Sequence, residues 1–108
     1  MSENLSTSVL RHVVLFGFKA TATPAQIQEV ERAFTALPSQ ITSIQTLEWG
    51  TNVSPENLSA GYTHCFFLTF ASEVDRDAYL PHPAHKAFGA LIQPYVGQVL
   101  VVDYWSQA

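Results

Sequence analysis

Two histidines three residues apart, His82 and His85, stand beside a tyrosine in the segment Tyr79-Leu80-Pro81-His82-Pro83-Ala84-His85. An imidazole with an ordinary pKa near 6.5 can take a proton at neutral pH. A phenol can donate a hydrogen bond to an oxygen on which negative charge develops. Together they are the parts needed to remove a proton next to a carbonyl, as in an aldol closure. The same two histidines could instead bind zinc, with Asp75 or His12 as a third ligand. Pro83 holds the pair rigid outside a helix and no cysteine lies close in sequence, so no metal and no cofactor are expected. The bland alternative is a core histidine bonded to a backbone carbonyl, next to a tyrosine whose hydroxyl alone is wet.

The backbone that positions these groups is shaped by two prolines. Each lacks an N–H and clashes with the preceding turn, and the residue before each avoids the helical region. Leu80 therefore ends one helix, His82 is a linker, and Pro83 opens the next helix at its first position. That helix is expected over 83–95, with Phe88, Leu91, Ile92 and Tyr95 at helical spacing. His85 lies one turn before Phe88 on the same face, so it is aimed at the core. The preceding short helix opens at Ser72, with Asp75 three residues on. Glu73, Asp75 and Asp77 complement its dipole.

Strands are expected over 11–19, 41–53, 62–71 and 98–105. In the first, His12, Val14, Phe16 and Phe18 share one face and Val13, Leu15 and Gly17 the other. In the third, Tyr62, His64, Phe66, Leu68 and Phe70 share a face, and His64 reads as a satisfied buried histidine. A helix starts at the capping box Thr23-Pro24-Ala25-Gln26, carries the stripe Ile27, Val30, Phe34 and Leu37, and stops at Pro38. The order βα, ββ, αβ with right-handed crossovers gives an α+β, ferredoxin-like fold: a four-stranded antiparallel sheet with helices on one face. The first, third and last strands are apolar on both faces, yet helices can cover only one. Roughly five or six large side chains would stay wet, each worth ~1.5–3 kcal/mol when buried. The drive toward a partner reaches ~10 kcal/mol before association costs, and a two-fold homodimer with sheets face to face would relieve it.

The composition bounds the remaining classes. The 108 residues make one domain, expected over 10–108 behind a flexible tail of 1–9. Only 13% are charged, about half the usual ~25%, so apolar surface needs hiding. Net charge is −4, and the five basic residues, Arg11, Lys19, Arg32, Arg76 and Lys86, are scattered. That excludes nucleic acid and anionic membrane as partners. Cys65 is the single cysteine and suits a reducing compartment. Residues 1–8 lack an apolar signal core, and no run approaches the ~20 apolar residues of a membrane span, so a cytoplasmic location is expected. No phosphate-binding glycine loop, nucleophile elbow or dinucleotide fingerprint is present.

Several stretches carry a resemblance. Arg11-His12-Val13-Val14-Leu15-Phe16, Gly61-Tyr62-Thr63-His64, Thr69-Phe70, Tyr79 followed by His82-Pro83-Ala84-His85, and Val102-Asp103-Tyr104 resemble the stress-responsive A/B barrel domain family. The resemblance implies a ferredoxin-like fold assembled as a dimeric α/β barrel. In one plant member a linear polyketide is closed by an intramolecular aldol step. There a tyrosine and the second histidine of the His-Pro-x-His element form the catalytic pair, with a leading histidine in the pocket. The matching positions are Tyr79, His85 and His12, and His64 and His82 also belong to the shared pattern. The resulting expectation is a small-molecule pocket between sheet and helices, faced by His12, Phe34, His64, Tyr79, His82, His85 and Phe88. The function implied is an aldol-type cyclase or lyase. The alternative is a non-catalytic stress-associated or ligand-binding protein whose role is its stable oligomer.

Overall fold

Extended, alternating segments and amphipathic helices follow one another as β1 (Leu10–Phe18), α1 (Pro24–Thr35), α2 (Leu37–Gln40), β2 (Thr46–Thr51), β3 (His64–Phe70), α3 (Glu73–Tyr79), α4 (Pro83–Ile92) and β4 (Val96–Trp105). The structure is a computed structural model and describes residues 8–107. The strand order is β2-β3-β1-β4, all neighbours antiparallel. This is the expected α+β, ferredoxin-like sheet. The tail expected over 1–9 lies almost wholly outside the described residues. Val9 itself is held: its N–H donates to Ser106 Oγ at 3.0 Å, and its carbonyl accepts from the Ser106 N–H at 2.8 Å.

Register decides what meets what. His12 stands opposite Leu68 of β3 and Asp103 of β4, Val14 opposite Phe66 and Val101, and Phe16 opposite His64 and Val99. Directly opposed residues share a face, so these form the helix-covered side. Leu10, Val14, Phe16, Phe66, Leu68 and Phe70 pack there against Val30 and Phe34 of α1, Leu37, Tyr79 and Phe88. Phe34 stacks on Phe66 with centroids 4.1 Å apart and planes 11° from parallel, an arrangement worth about 0.5–1.5 kcal/mol beyond its buried area. On the other side Val13, Leu15 and Phe67 are half-buried and Leu100, Val102 and Tyr104 exposed. The apolar open face foreseen from the sequence is therefore present.

The largest departures from expectation are at β2, at Pro38 and at the end of the last helix. Residues 41–53 are not one long strand, since β2 begins only at Thr46. Ile41 and Ile44 are buried in the core from a turn closed by the Ile44 N–H donating to the Ile41 carbonyl. Their three-residue spacing suits a turn and not the two-residue period of a strand. Pro38 does not stop the first helix but sits in the opening turn of α2, where a missing N–H costs nothing. Finally α4 ends at Ile92, not Tyr95, because Pro94 cannot supply the next helical hydrogen bond. A turn from Tyr95 N–H to the Ile92 carbonyl then leads into β4 two residues early.

Candidate functional site

The two-proline bend forms as the backbone rules require. Ser72 caps α3, accepting a hydrogen bond from the Asp75 N–H. His82 then caps α4, its Nδ1 accepting from the Ala84 N–H at 3.0 Å, with Pro83 in the first turn. This geometry sends Tyr79, at the end of α3, and His85, in the first turn of α4, against each other with ring centroids 4.4 Å apart. His12 reaches them from β1, 5.7 Å from the Tyr79 ring.

The three rings close one end of a cavity of about 290 Å³ between β1, β4 and the helices. Its remaining walls are apolar: Val14 and Phe16 from β1, Val99 and Val101 from β4, Phe34 from α1, Leu80, and Phe88, Gly89 and Ile92 from α4. A cavity of this size falls at the small end of ligand pockets. Depressions of about 380 Å³ beside β2 and about 590 Å³ between α1, α2 and α4 are larger but more open. The first is lined by polar groups, Glu48, Tyr62, His64 and Cys65 among them, but both ring nitrogens of its histidine are engaged by Glu31 and Thr63. The second has His82, whose Nδ1 is engaged by the Ala84 N–H.

The hydrogen bonds fix the protons. His85 Nδ1 lies 2.9 Å from the Leu80 carbonyl, which can only accept, so Nδ1 carries the hydrogen. In the neutral ring Nε2 then holds a free lone pair. Burial pushes the His85 pKa below its ordinary value, against the opposing bond to Leu80, with a smaller push in the same direction from His12. The ring is thus a neutral base at pH 7. Tyr79 is 1% exposed, and burial drives its phenol well above its ordinary range. It stays protonated and able to donate. Among the described residues, no protein group hydrogen-bonds its hydroxyl or the second ring nitrogen of His85 or His12.

His12 is held from behind. Its Nδ1 lies 2.7 Å from Asp103 Oδ1, and the other carboxylate oxygen of Asp103 accepts from Arg76 at 2.9 Å. Arg76 also donates to Asp77 at 3.0 Å. The carboxylate can only accept, so Nδ1 carries the hydrogen and the imidazole is oriented from β4.

Of the residues expected to face a ligand, the structure brings together His12, Phe34, Tyr79, His85 and Phe88. It sets His64 and His82 apart. His64 is buried on the same face of the sheet but at its opposite corner, where Nε2 pairs with Glu31 at 2.8 Å and Nδ1 with the Thr63 hydroxyl at 2.8 Å, beside a parallel Trp49. His82 lies on the helix-side depression and spends its side chain on the cap. Asp103 and Arg76 were missed as supports, and Gly89, Val99 and Val101 as walls. Asp103 hides at the end of an apolar run, and only the register with His12 gives it meaning. Among the described residues no three His, Cys, Asp or Glu side chains gather as a metal would need. No helix there is long and apolar enough to cross a membrane.

The family profile described as Stress Responsive A/B Barrel Domain matches residues 10–106. The chain belongs to this family. A stress-response A/B barrel domain-containing protein of Arabidopsis thaliana is 38% identical over 95 residues, covering 88% of this chain and 87% of that protein. Olivetolic acid cyclase of Cannabis sativa is 32% identical over 95 residues, covering 88% and 94%. Among solved structures, a dimeric ferredoxin-like protein of unknown function from Thermobifida fusca superposes with a TM-score of 0.76 at 27% identity, covering 90% of each chain.

Proposed function

We propose that this A/B barrel protein is a homodimeric lyase or cyclase of the aldol type, acting on a small enolisable carbonyl compound in the cavity. One observation carries the reading. The rings of His85 and Tyr79 lie 4.4 Å apart in the lining of an otherwise apolar cavity, with His85 Nε2 and the Tyr79 hydroxyl bonded to no protein group among the described residues. His85 Nε2 takes the proton α to a carbonyl, and the Leu80 carbonyl steadies the imidazolium that results. The Tyr79 hydroxyl donates to the enolate oxygen. The enolate carbon bonds to a second carbonyl carbon of the same molecule, and the proton on His85 passes to the new alkoxide. His12, held by Asp103, completes the polar end and orients the carbonyl. The 32% identical cyclase supports the reaction class.

Homodimerisation follows from the open face. Val13, Leu15, Phe67, Leu100, Val102 and Tyr104 form one apolar surface on the side without helices, and a relative of the same fold is dimeric. A second copy would hide that surface and leave the cavity side free.

The test is turnover of linear β-polyketo compounds by the wild-type chain and by His85→Ala. The variant should lose turnover while its melting temperature stays within a few degrees. Retained turnover, or simple unfolding of the variant, would contradict the assignment. Binding without turnover in the wild type would favour the ligand-binding alternative.

A further inference from the structure

A glycine in the middle of a helix is a poor choice unless something requires it, since it is the least favourable non-proline residue there. Gly89 lies inside α4, yet nothing in the fold demands it. A Cβ built on it meets no atom within 4 Å, whereas one built on Gly17 would come within 2.7 Å of the Gly61 carbonyl oxygen. Its backbone φ is not in the left-handed region either. Close packing and backbone conformation, the ordinary reasons for a glycine, are both absent.

What Gly89 does have is a place on the cavity wall. His85, Phe88, Gly89 and Ile92 all line the cavity. Their spacing of i, i+3, i+4 and i+7 puts them on one helix stripe, so a side chain at 89 would project over the same space. Gly89 is also exposed, as are Leu80, Val99 and Val101 among the lining residues. These four therefore form the rim where the cavity meets solvent, between α4 and β4, and the buried His12, Phe34 and Tyr79 form its floor.

We propose that Gly89 is the specificity-setting position at this rim. By omitting a side chain it keeps the mouth wide enough for a neutral compound with a polar head and an apolar tail. The head lies among His12, Tyr79 and His85, and the tail runs along α4 past Gly89 toward Ile92 and Val99, a span of about 10 Å from His85 at 1.5 Å per residue. The ligand is neutral because no Lys, Arg, Asp or Glu lines the cavity, and Arg76, behind Asp103, is already shared by Asp103 and Asp77. The inference rests on the cavity being a ligand site, as proposed above.

Binding of a 4-alkylphenol series, from methyl to hexyl, to the intact protein tests it by titration calorimetry, alongside melting curves. In the wild type each added methylene should tighten the Kd by roughly fourfold until the tail fills the cavity. Gly89→Ala should raise the melting temperature by roughly 4–8 °C, because helix propensity improves and nothing clashes. It should at the same time weaken the longer phenols by at least threefold. Gly89→Leu should weaken them by tenfold or more. Unchanged affinities in both variants, or a lower melting temperature for Gly89→Ala, would overturn the role of Gly89 alone. Failure of the wild type to bind any phenol would remove the ligand site and this inference with it.

Discussion

The sheet carries two buried histidines at opposite corners, and they are built in opposite ways. His64 has both ring nitrogens engaged, by Glu31 and Thr63, and is closed over by Trp49 and Phe18. His12, with His85 beside it, has one nitrogen engaged by Asp103, the other bonded to no protein group among the described residues, and lines the cavity. The first arrangement is complete in itself: every polar atom has its partner, as burial demands. The second is complete only when something enters. Burial and aromatic neighbours are common to both corners, so neither distinguishes a site from a brace. The distinguishing feature is the unspent hydrogen-bonding capacity next to open volume.

That contrast can be broken most sharply at His85. His85→Gln should lower kcat/KM by about 10²–10⁴, the usual contribution of a positioned base, with the melting temperature nearly unchanged. Tyr79→Phe should follow with a loss of about 10²–10³, the cost of one donor to a developing oxyanion. Its stability should hold, because the hydroxyl bonds no protein group among the described residues. At the other corner the pattern should reverse. His64→Gln should cost about 1–3 kcal/mol in urea unfolding by leaving Glu31 poorly paired, while kcat/KM moves little. The smallest effect is in pH. The His85 pKa is lowered by burial, so protonation removes the base only below its ordinary value of about 6.5. The rate should be flat from pH 7 upward and fall as pH drops further. A fall that begins above pH 7 would mean that the ring is not shielded as described.

Most of the fold was legible from pattern. The capping box at Thr23, the two-period alternation of β1 and β3 and the proline punctuation at 81 and 83 each have one local cause, and each element formed near its expected place. The misplaced start of β2 came from Ile41, Ile44 and Leu47, whose apolar character reports burial but not conformation. All three do pack in or against the core. The candidate site was half legible. Tyr79 and His85 are close in sequence, and the bend between them is set by prolines, so local rules suffice. Asp103 and Arg76 are 91 and 64 residues from His12, and only strand register and the crossover helix bring them near. Gly89 had no sequence signal at all, because a glycine's meaning depends on what its missing side chain would have touched. His64 was a candidate only through the family resemblance, since its aromatic face reads as that of a satisfied buried histidine. Its carboxylate partner sits on α1, 33 residues away.

The proton on His85 is the most direct point of attack. Long-range proton–nitrogen NMR of the histidine rings at pH 7, with and without 4-hexylphenol, would report its state. The expected spectrum has a neutral ring protonated at Nδ1, with an Nε2 resonance that moves when the phenol enters. A ring that is cationic at pH 7, protonated at Nε2, or indifferent to the phenol would contradict the claim that His85 holds a free base over the cavity.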